Sequence, residues 1–201
     1  MKHDEGPPIT PTEHLVRTAI KEFDEENAVI EEALKDLFGQ YSDNKNHSHV
    51  LLKVVALNRL YSTNIFAVHN MAKHIYDHAE EIDSALVIGS PEIVDKIARL
   101  TIKAEEHHFY SFATKYCSWH RTAAYPIWDS RVDRYLWRLQ KRDHFAPSFK
   151  ANADLWDYPK FRAVVISLRD RYGLGSFTVK QIDKFLGLYG GKSSGMAATQ
   201  S

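Results

Sequence analysis

Lys115 and Asp129 are the two side chains in this sequence whose types and surroundings best suit catalysis. Lys115 follows a run of small and aromatic residues, and Asp129 opens a basic helical segment. A lysine amine is a nucleophile only when it is neutral, and burial beside Phe112, Tyr116 and Trp119 would lower its pKa from the reference value of about 10.4. Backbone N–H groups at a helix start keep an aspartate ionised, so that it can stabilise positive charge that develops in a reaction.

Both residues also have structural interpretations. Lys115 could be a surface lysine near a helix start. Asp129 follows Pro126 and precedes an amphipathic segment, where capping alone explains an aspartate. The capping and catalytic interpretations of Asp129 are compatible, because a capping carboxylate stays ionised.

The composition limits the cofactors. The chain has 201 residues, of which 44% are hydrophobic, and a formal net charge of zero. Its one cysteine, Cys117, excludes an intramolecular disulfide, a multi-cysteine zinc site and an iron–sulfur cluster built from this chain alone. His74 and His78 share a helix face but have no recognisable third ligand, which favours surface or packing roles. We therefore expect no metal and no redox cofactor.

The neutral total hides a polarised charge distribution. Between Glu13 and Asp36 there are eight acidic and three basic residues, whereas between Lys115 and Arg142 there are seven basic and two acidic residues. The basic residues of the segment 130–142 recur on one helix face, opposite Val132 and Leu136. Such a face is often only solvated, but here it could follow a phosphate backbone.

Apolar residues recur at helical spacing through most of the chain, and no window alternates as a strand. This pattern predicts an all-α protein of about nine or ten helices. The predicted organisation is a flexible arm over 1–11, one helical domain over 12–189 and a disordered tail over 190–201. We expect a cap at Thr12, a helix that begins at Thr178, a helix end at Gly89 and a break near Asn27. The polar start of the chain and the lack of a long apolar run predict a cytoplasmic protein without membrane contact.

Three segments in order resemble the helix-hairpin-helix DNA glycosylase superfamily. The segment Phe109–Lys115, FYSFATK, resembles the family hairpin Leu-Pro-Gly-Val-Gly-Thr-Lys, with Ser111 and Ala113 in place of the two glycines and Thr114-Lys115 matching outright. The segment Tyr125–Val132, YPIWDSRV, is similar to the family segment Val-Pro-Val-Asp-Val-His-Met. The segment Tyr61–Met71 is similar to a run near the substrate pocket of the 8-oxoguanine glycosylases, in the branch this chain resembles most.

The resemblance implies a fold and a mechanism. The fold would be a helix-hairpin-helix bundle in two closely packed lobes with a cleft between them. Lys115 would attack C1′ of a nucleotide extruded from DNA, Asp129 would stabilise the charge on the sugar, and β-elimination could then nick the strand. The candidate base pocket is formed by Asn64, Cys117, Trp119, His120, Tyr125 and Trp128. The candidate contacts to the DNA backbone are Ser111, Ala113, Thr114, Arg121, Arg131, Arg134 and Arg138.

The substrate and the activity leave alternatives open. An oxidised purine is the first expectation, and a hypermodified base such as occurs in phage DNA is the second. The competing hypothesis is a non-catalytic module that keeps the fold and binds DNA or another protein. No obligatory protein partner is evident from the sequence, and we expect a monomer.

Overall fold

The computed structural model of the chain describes residues 7–190, and within that range the chain is predominantly helical, which confirms the predicted class. The α-helices of this range are α1 (Glu13–Gln40), α2 (His47–Leu60), α3 (Val68–Asp77), α4 (Ala79–Ile88), α5 (Ile93–Ala98), α6 (Tyr110–His120), α7 (Ser130–Asp143), α8 (Tyr158–Arg171) and α9 (Val179–Tyr189). A 3-10 helix covers Asn152–Trp156, and two strands, β1 (Arg99–Ile102) and β2 (Glu105–His108), lie between α5 and α6.

The strands correct the prediction of a purely helical chain. They form an antiparallel pair in which Arg99 lies opposite His108 and Ile102 opposite Glu105. The turn between them is made by Lys103 and Ala104, whose φ angles are +49° and +69°. Two consecutive left-handed residues match the twist of a hairpin, but glycine and asparagine are the usual residues there. The turn therefore carries no sequence signal.

Most predicted helix ends are confirmed. The Thr12 side chain accepts a hydrogen bond from the Leu15 N–H at 3.3 Å, and that of Thr178 accepts one from Gln181 N–H at 3.3 Å. Gly89 ends α4 with φ of +72°, a conformation that glycine adopts without steric strain. Short-range chemistry decides such ends, so the sequence alone predicts them.

The chain divides into two compact units. One is formed by residues 27–128, and the other by the segments before Asn27 and from Asp129 onward. The predicted break near Asn27 is wrong, because α1 is continuous from Glu13 to Gln40. The two units nevertheless divide within this helix, between Glu26 and Asn27.

Helix α6 forms the centre of the unit 27–128. Every side chain from Phe112 to Trp119 is buried, including those of Ala113 and Tyr116. A helix that is buried on all sides must be surrounded by other elements. Phe38 of α1 supplies one such contact, with its ring centroid 5.6 Å from that of Tyr116.

In the other unit, α7 buries an apolar face made of Val132, Tyr135, Leu136 and Leu139. Residues at the start of the described range pack on this helix. The Tyr135 hydroxyl donates to the Ile9 carbonyl at 2.8 Å, and Arg142 Nη1 donates to the Pro8 carbonyl at 2.6 Å. Ile9 is buried. This part of the predicted flexible arm is therefore held in place.

Residues 1–6 of the predicted arm and 191–201 of the predicted tail lie outside the described range. Among the helices from residue 7 to residue 190, none combines the length and the apolar character needed to cross a membrane.

Candidate functional site

The segment that resembles the glycosylase hairpin is a helix in this structure. Helix α6 begins at Tyr110, so Ser111, Ala113 and Thr114 are helical residues. The Ala113 N–H donates to the Phe109 carbonyl at 3.0 Å, and Ala113 and Thr114 are fully buried. The contacts of these residues with DNA phosphates stay a prediction, for which the partly exposed Ser111 is more accessible than the buried Ala113 and Thr114. Serine and alanine favour a helix more than glycine does, which explains why the helix extends through positions where the family has glycines.

Lys115 is buried, with 4% of its surface exposed. Its Nζ donates to Ser111 Oγ at 2.6 Å and lies 3.4 Å from the backbone carbonyl oxygens of Ser111 and Trp128. The ring of Tyr61, at the end of α2, lies beneath it with its centroid 5.7 Å from Nζ. The interpretation of Lys115 as a surface lysine is therefore wrong, and the amine lies among neutral oxygens and an aromatic face.

Thr114 and Trp119 support the surroundings of this lysine. The Thr114 hydroxyl accepts from the Trp128 N–H at 3.2 Å and lies 3.3 Å from the Trp128 carbonyl, so the chain at Trp128 is fastened to α6. The indole of Trp119 donates to the Tyr61 hydroxyl at 3.1 Å, which orients the ring under the amine. We call Tyr61, Ser111, Thr114, Lys115 and Trp128 the lysine site.

Asp129 begins the second segment of the other unit and caps α7. Its Oδ1 accepts from the N–H groups of Arg131 and Val132, each at 2.9 Å, so the predicted cap is confirmed. Arg131 and Arg134 are exposed on α7, whereas Arg138 is partly buried. The helix therefore presents positive charge to solvent close to its acidic cap.

The other predicted pocket residues lie in different surroundings. Asn64 is exposed with φ of +57° and lines an open groove of about 460 Å³ at the end of α2. The Tyr125 hydroxyl donates to the Ser90 carbonyl at 3.0 Å. Cys117 is fully buried, and burial raises the pKa of its thiol. Arg121 is exposed at the end of α6, with Nη1 3.4 Å from the Leu86 carbonyl.

His120 belongs to a buried polar network that the sequence did not indicate. Its centre is Lys53 of α2, whose side chain is completely buried. Lys53 Nζ donates to the carbonyls of Tyr41 and Asp43 at 3.0 and 2.8 Å and to Asn44 Oδ1 at 2.9 Å, and it lies 3.3 Å from His120 Nε2. Lysine within an apolar helical stretch is the only signal that could have identified it.

Asn44 links this network to two further groups. It is fully buried, and its Nδ2 donates to Asp83 Oδ1 at 2.7 Å while its Oδ1 also accepts from the Tyr116 hydroxyl. Burial lowers the pKa of Lys53 to about 8, although Asp83 and Asp43 act in the opposite direction. Burial, and then the charge of Lys53, lower the pKa of His120 to about 3. His120 is therefore neutral at pH 7, and its role in a base pocket stays a prediction.

Within residues 7–190, no group of three or more histidine, cysteine or carboxylate side chains is arranged to hold a metal ion. His74 and His78 each have a ring nitrogen within hydrogen-bond distance of a backbone carbonyl. The Nε2 of His74 lies 2.9 Å from the Lys96 carbonyl, and Nδ1 of His78 lies 2.8 Å from the His74 carbonyl.

Comparison with known proteins assigns the chain to a family. Residues 15–124 match the family model HI_0787_N, described as an N-terminal domain, and the chain belongs to this family. The matched range includes the lysine site up to Lys115 and ends before Trp128 and Asp129.

A relative from Haemophilus influenzae, named only as an uncharacterized protein, is 43% identical over 133 residues. These residues are 66% of this chain and 62% of the relative, so the alignment spans less than two thirds of the relative's length. No solved structure matches the chain.

Proposed function

We propose that this protein is a DNA N-glycosylase in which Lys115 is the nucleophile. The observation that carries the proposal is the burial of the Lys115 amine among the neutral oxygens of Ser111 and Trp128, above the ring of Tyr61. Burial disfavours charge on an amine, and only an uncharged amine can attack carbon. A lysine needed only for solubility would be exposed to water.

In the proposed reaction the Lys115 amine is the nucleophile and then remains covalently bound to the sugar. The nitrogen lone pair of Lys115 attacks C1′ of an extruded nucleotide, and the C1′–N glycosidic bond breaks with its electron pair leaving on the base. The base takes up a proton, and the amine nitrogen loses one. Opening of the sugar ring at O4′ gives an imine between C1′ and Nζ, from which β-elimination of the 3′ phosphate can nick the strand.

Asp129 enters the proposal from the sequence resemblance. Its carboxylate, which accepts hydrogen bonds from the N–H groups of Arg131 and Val132, is suited to stabilise positive charge on the sugar. The substrate also follows from the resemblance: an oxidised purine first, and a hypermodified base second.

Borohydride trapping tests this proposal. Wild-type protein is incubated with duplexes that each carry one modified base, and sodium borohydride reduces any imine to a stable amine. We expect a covalent adduct with at least one duplex, its loss in Lys115→Gln, and its retention in Lys150→Gln, a matched change at an exposed lysine. In Asp129→Asn the rate of base release should fall about 100-fold or more. Base release that survives Lys115→Gln contradicts the lysine mechanism.

A second function, DNA binding without catalysis, is favoured by one observation. Helix α6 replaces the hairpin at Ser111 and Ala113, while α7 exposes Arg131 and Arg134. A basic helix can bind phosphates without any chemistry at Lys115.

Salt-dependent binding separates this candidate from the enzyme. If it is correct, no duplex yields an adduct, yet DNA binding weakens as salt rises. The charge reversal Arg131→Glu, Arg134→Glu, Arg138→Glu then lowers both the affinity and the slope of its salt dependence. Equal DNA affinity of the wild type and this triple variant excludes α7 as the DNA-binding surface.

A further inference from the structure

We infer that Ser111 is the residue that positions the Lys115 amine and controls its reactivity. The catalytic part of this inference rests on the proposed function, whereas the control of the amine can be measured without DNA. The resembling family has a glycine at this position, so the contact described below comes from the serine of this chain.

The distances identify Ser111 as the nearest of the three oxygens around the amine. Ser111 Oγ lies 2.6 Å from Nζ, whereas the carbonyl oxygens of Ser111 and Trp128 both lie at 3.4 Å. A lysine ammonium has three N–H donors and no acceptor. Each of these neutral oxygens can accept one of its protons, and the serine hydroxyl provides the shortest of the three contacts.

Loss of a proton changes what the amine requires from these oxygens. A neutral amine has two N–H donors and one lone pair, so it donates one hydrogen bond fewer and can accept one. Carbonyl oxygens only accept, but a serine hydroxyl can rotate and donate. Ser111 can therefore accept from the ammonium and then donate to the lone pair of the neutral amine. It can also release that lone pair when an electrophilic carbon approaches.

The helix keeps Ser111 in reach of the amine. Ser111 and Lys115 are four residues apart on α6, and residues at this spacing face each other. The Thr114 hydroxyl lies 3.0 Å from the Ser111 carbonyl, and the ring of Tyr61, a titratable side chain, faces Nζ. Ser111 is partly exposed, whereas Lys115 is buried, so solvent can exchange protons with the hydroxyl.

Four variants test the inference. Ser111→Ala removes the hydroxyl, and the fold should persist because alanine is the better helix former. Ser111→Cys has a similar volume but only a weak acceptor, and it replaces Ser111→Ala in the test if the alanine variant does not fold. Ser111→Thr restores a hydroxyl at the same atom. Ser118→Ala is the matched control, because Ser118 is a buried serine on the same helix whose Oγ has no hydrogen-bond partner within the described residues.

The first measurement needs no DNA. Each protein is methylated with formaldehyde and cyanoborohydride at a series of pH values, and peptide mapping gives the labelling rate of Lys115 relative to exposed Lys141. In Ser111→Ala the ammonium loses a stronger hydrogen bond than the neutral amine does, because the bond to the charged form is charge-assisted. Labelling should therefore reach its midpoint about one pH unit lower. Ser111→Thr and Ser118→Ala should retain the wild-type midpoint.

The second measurement is borohydride trapping under single-turnover conditions. In Ser111→Ala the amine is neutral at lower pH but poorly oriented. The maximal trapping rate should therefore fall about 10-fold to 100-fold, while its pH dependence moves to lower pH. Ser111→Thr should restore both the rate and the pH dependence.

The two measurements have separate consequences. A wild-type labelling midpoint in Ser111→Ala and Ser111→Cys overturns the inference, whatever trapping shows. A shifted midpoint that Ser111→Thr restores supports it. If the midpoint shifts but wild-type protein forms no adduct with any duplex, the proposed glycosylase function fails while control of the amine by Ser111 stands.

Discussion

Replacement of Lys53 by methionine should lower the stability of this protein and remove a rise in its stability between pH 8 and 10.5. The Lys53 side chain is completely buried, and its Nζ donates to the carbonyls of Tyr41 and Asp43 and to Asn44 Oδ1. Methionine has a similar length and no donor. At pH 7 the variant should lose about 2–4 kcal/mol in free energy of unfolding, because buried acceptors are left without a donor.

The pH dependence follows from the pKa of the lysine. Burial lowers this pKa from 10.5 to about 8 in the folded protein. Between these values the unfolded chain binds more protons than the folded one, so wild-type stability rises with pH. At 1.36 kcal/mol per pKa unit the increase is about 3 kcal/mol. Lys53→Met lacks this contribution, and the difference in stability between the two proteins should widen by that amount from pH 8 to 10.5.

Urea unfolding followed by circular dichroism from pH 7 to 10.5 measures both effects. Lys45→Met is the matched control, because Lys45 is an exposed lysine in the same loop as Asp43 and Asn44. It should follow the wild type at every pH. A constant difference between wild type and Lys53→Met over this range would refute the reasoning, since it would mean that the folded protein does not disfavour the charged lysine.

Three further predictions concern stability. The pKa of His120 is lowered from 6.5 to about 3, so the free energy of unfolding of the wild type should fall by on the order of 4 kcal/mol as pH falls between these values. His120→Asn should lack this pH dependence when acid unfolding is followed by circular dichroism. Asp143 has its pKa lowered to about 2, chiefly by its hydrogen bond from Arg142 and also by Tyr172. Asp143→Asn should therefore lose about 2 kcal/mol in urea unfolding at pH 7, and the difference should vanish below pH 2. Gly89→Ala places a Cβ 3.2 Å from that of Ala124 at φ of +72°, and its free energy of unfolding should fall by about 1–2 kcal/mol in thermal unfolding. Gly39→Ala is the control, because its Cβ would lie in open space at the end of α1, and its stability should not fall. An equal response of the two glycine variants would contradict the role of the backbone conformation.

The helices could be predicted from the sequence because their signals are local. Thr12, Gly89 and Thr178 mark helix ends through contacts with neighbours three or four residues away. The β1–β2 hairpin could not be predicted, because Lys103 and Ala104 adopt left-handed conformations without glycine or asparagine. The continuity of α1 through Asn27 could not be predicted either, since asparagine is only a weak helix breaker and is partly buried here.

The candidate site was predicted in part. The cap at Asp129 follows from a local motif and is confirmed. The burial of Lys115 was expected, but its contact with Ser111 was not, because a hairpin would have separated these residues differently from a helix. Lys53 was missed because its partners, the loop at Asp43 and Asn44 and the ring of His120, meet it only in the folded chain.

The sequence by itself determined the helical class, the helix caps and the position of the basic face on α7, since these depend on residues within one or two helical turns. The tertiary structure alone decided which polar groups are buried together. It places Lys115 against Ser111 and Trp128, and Lys53 against Asn44 and His120. The physical reason is that burial is a property of the surrounding elements. The same lysine would be a charged surface group on an isolated helix and becomes a constrained amine when other elements pack around it.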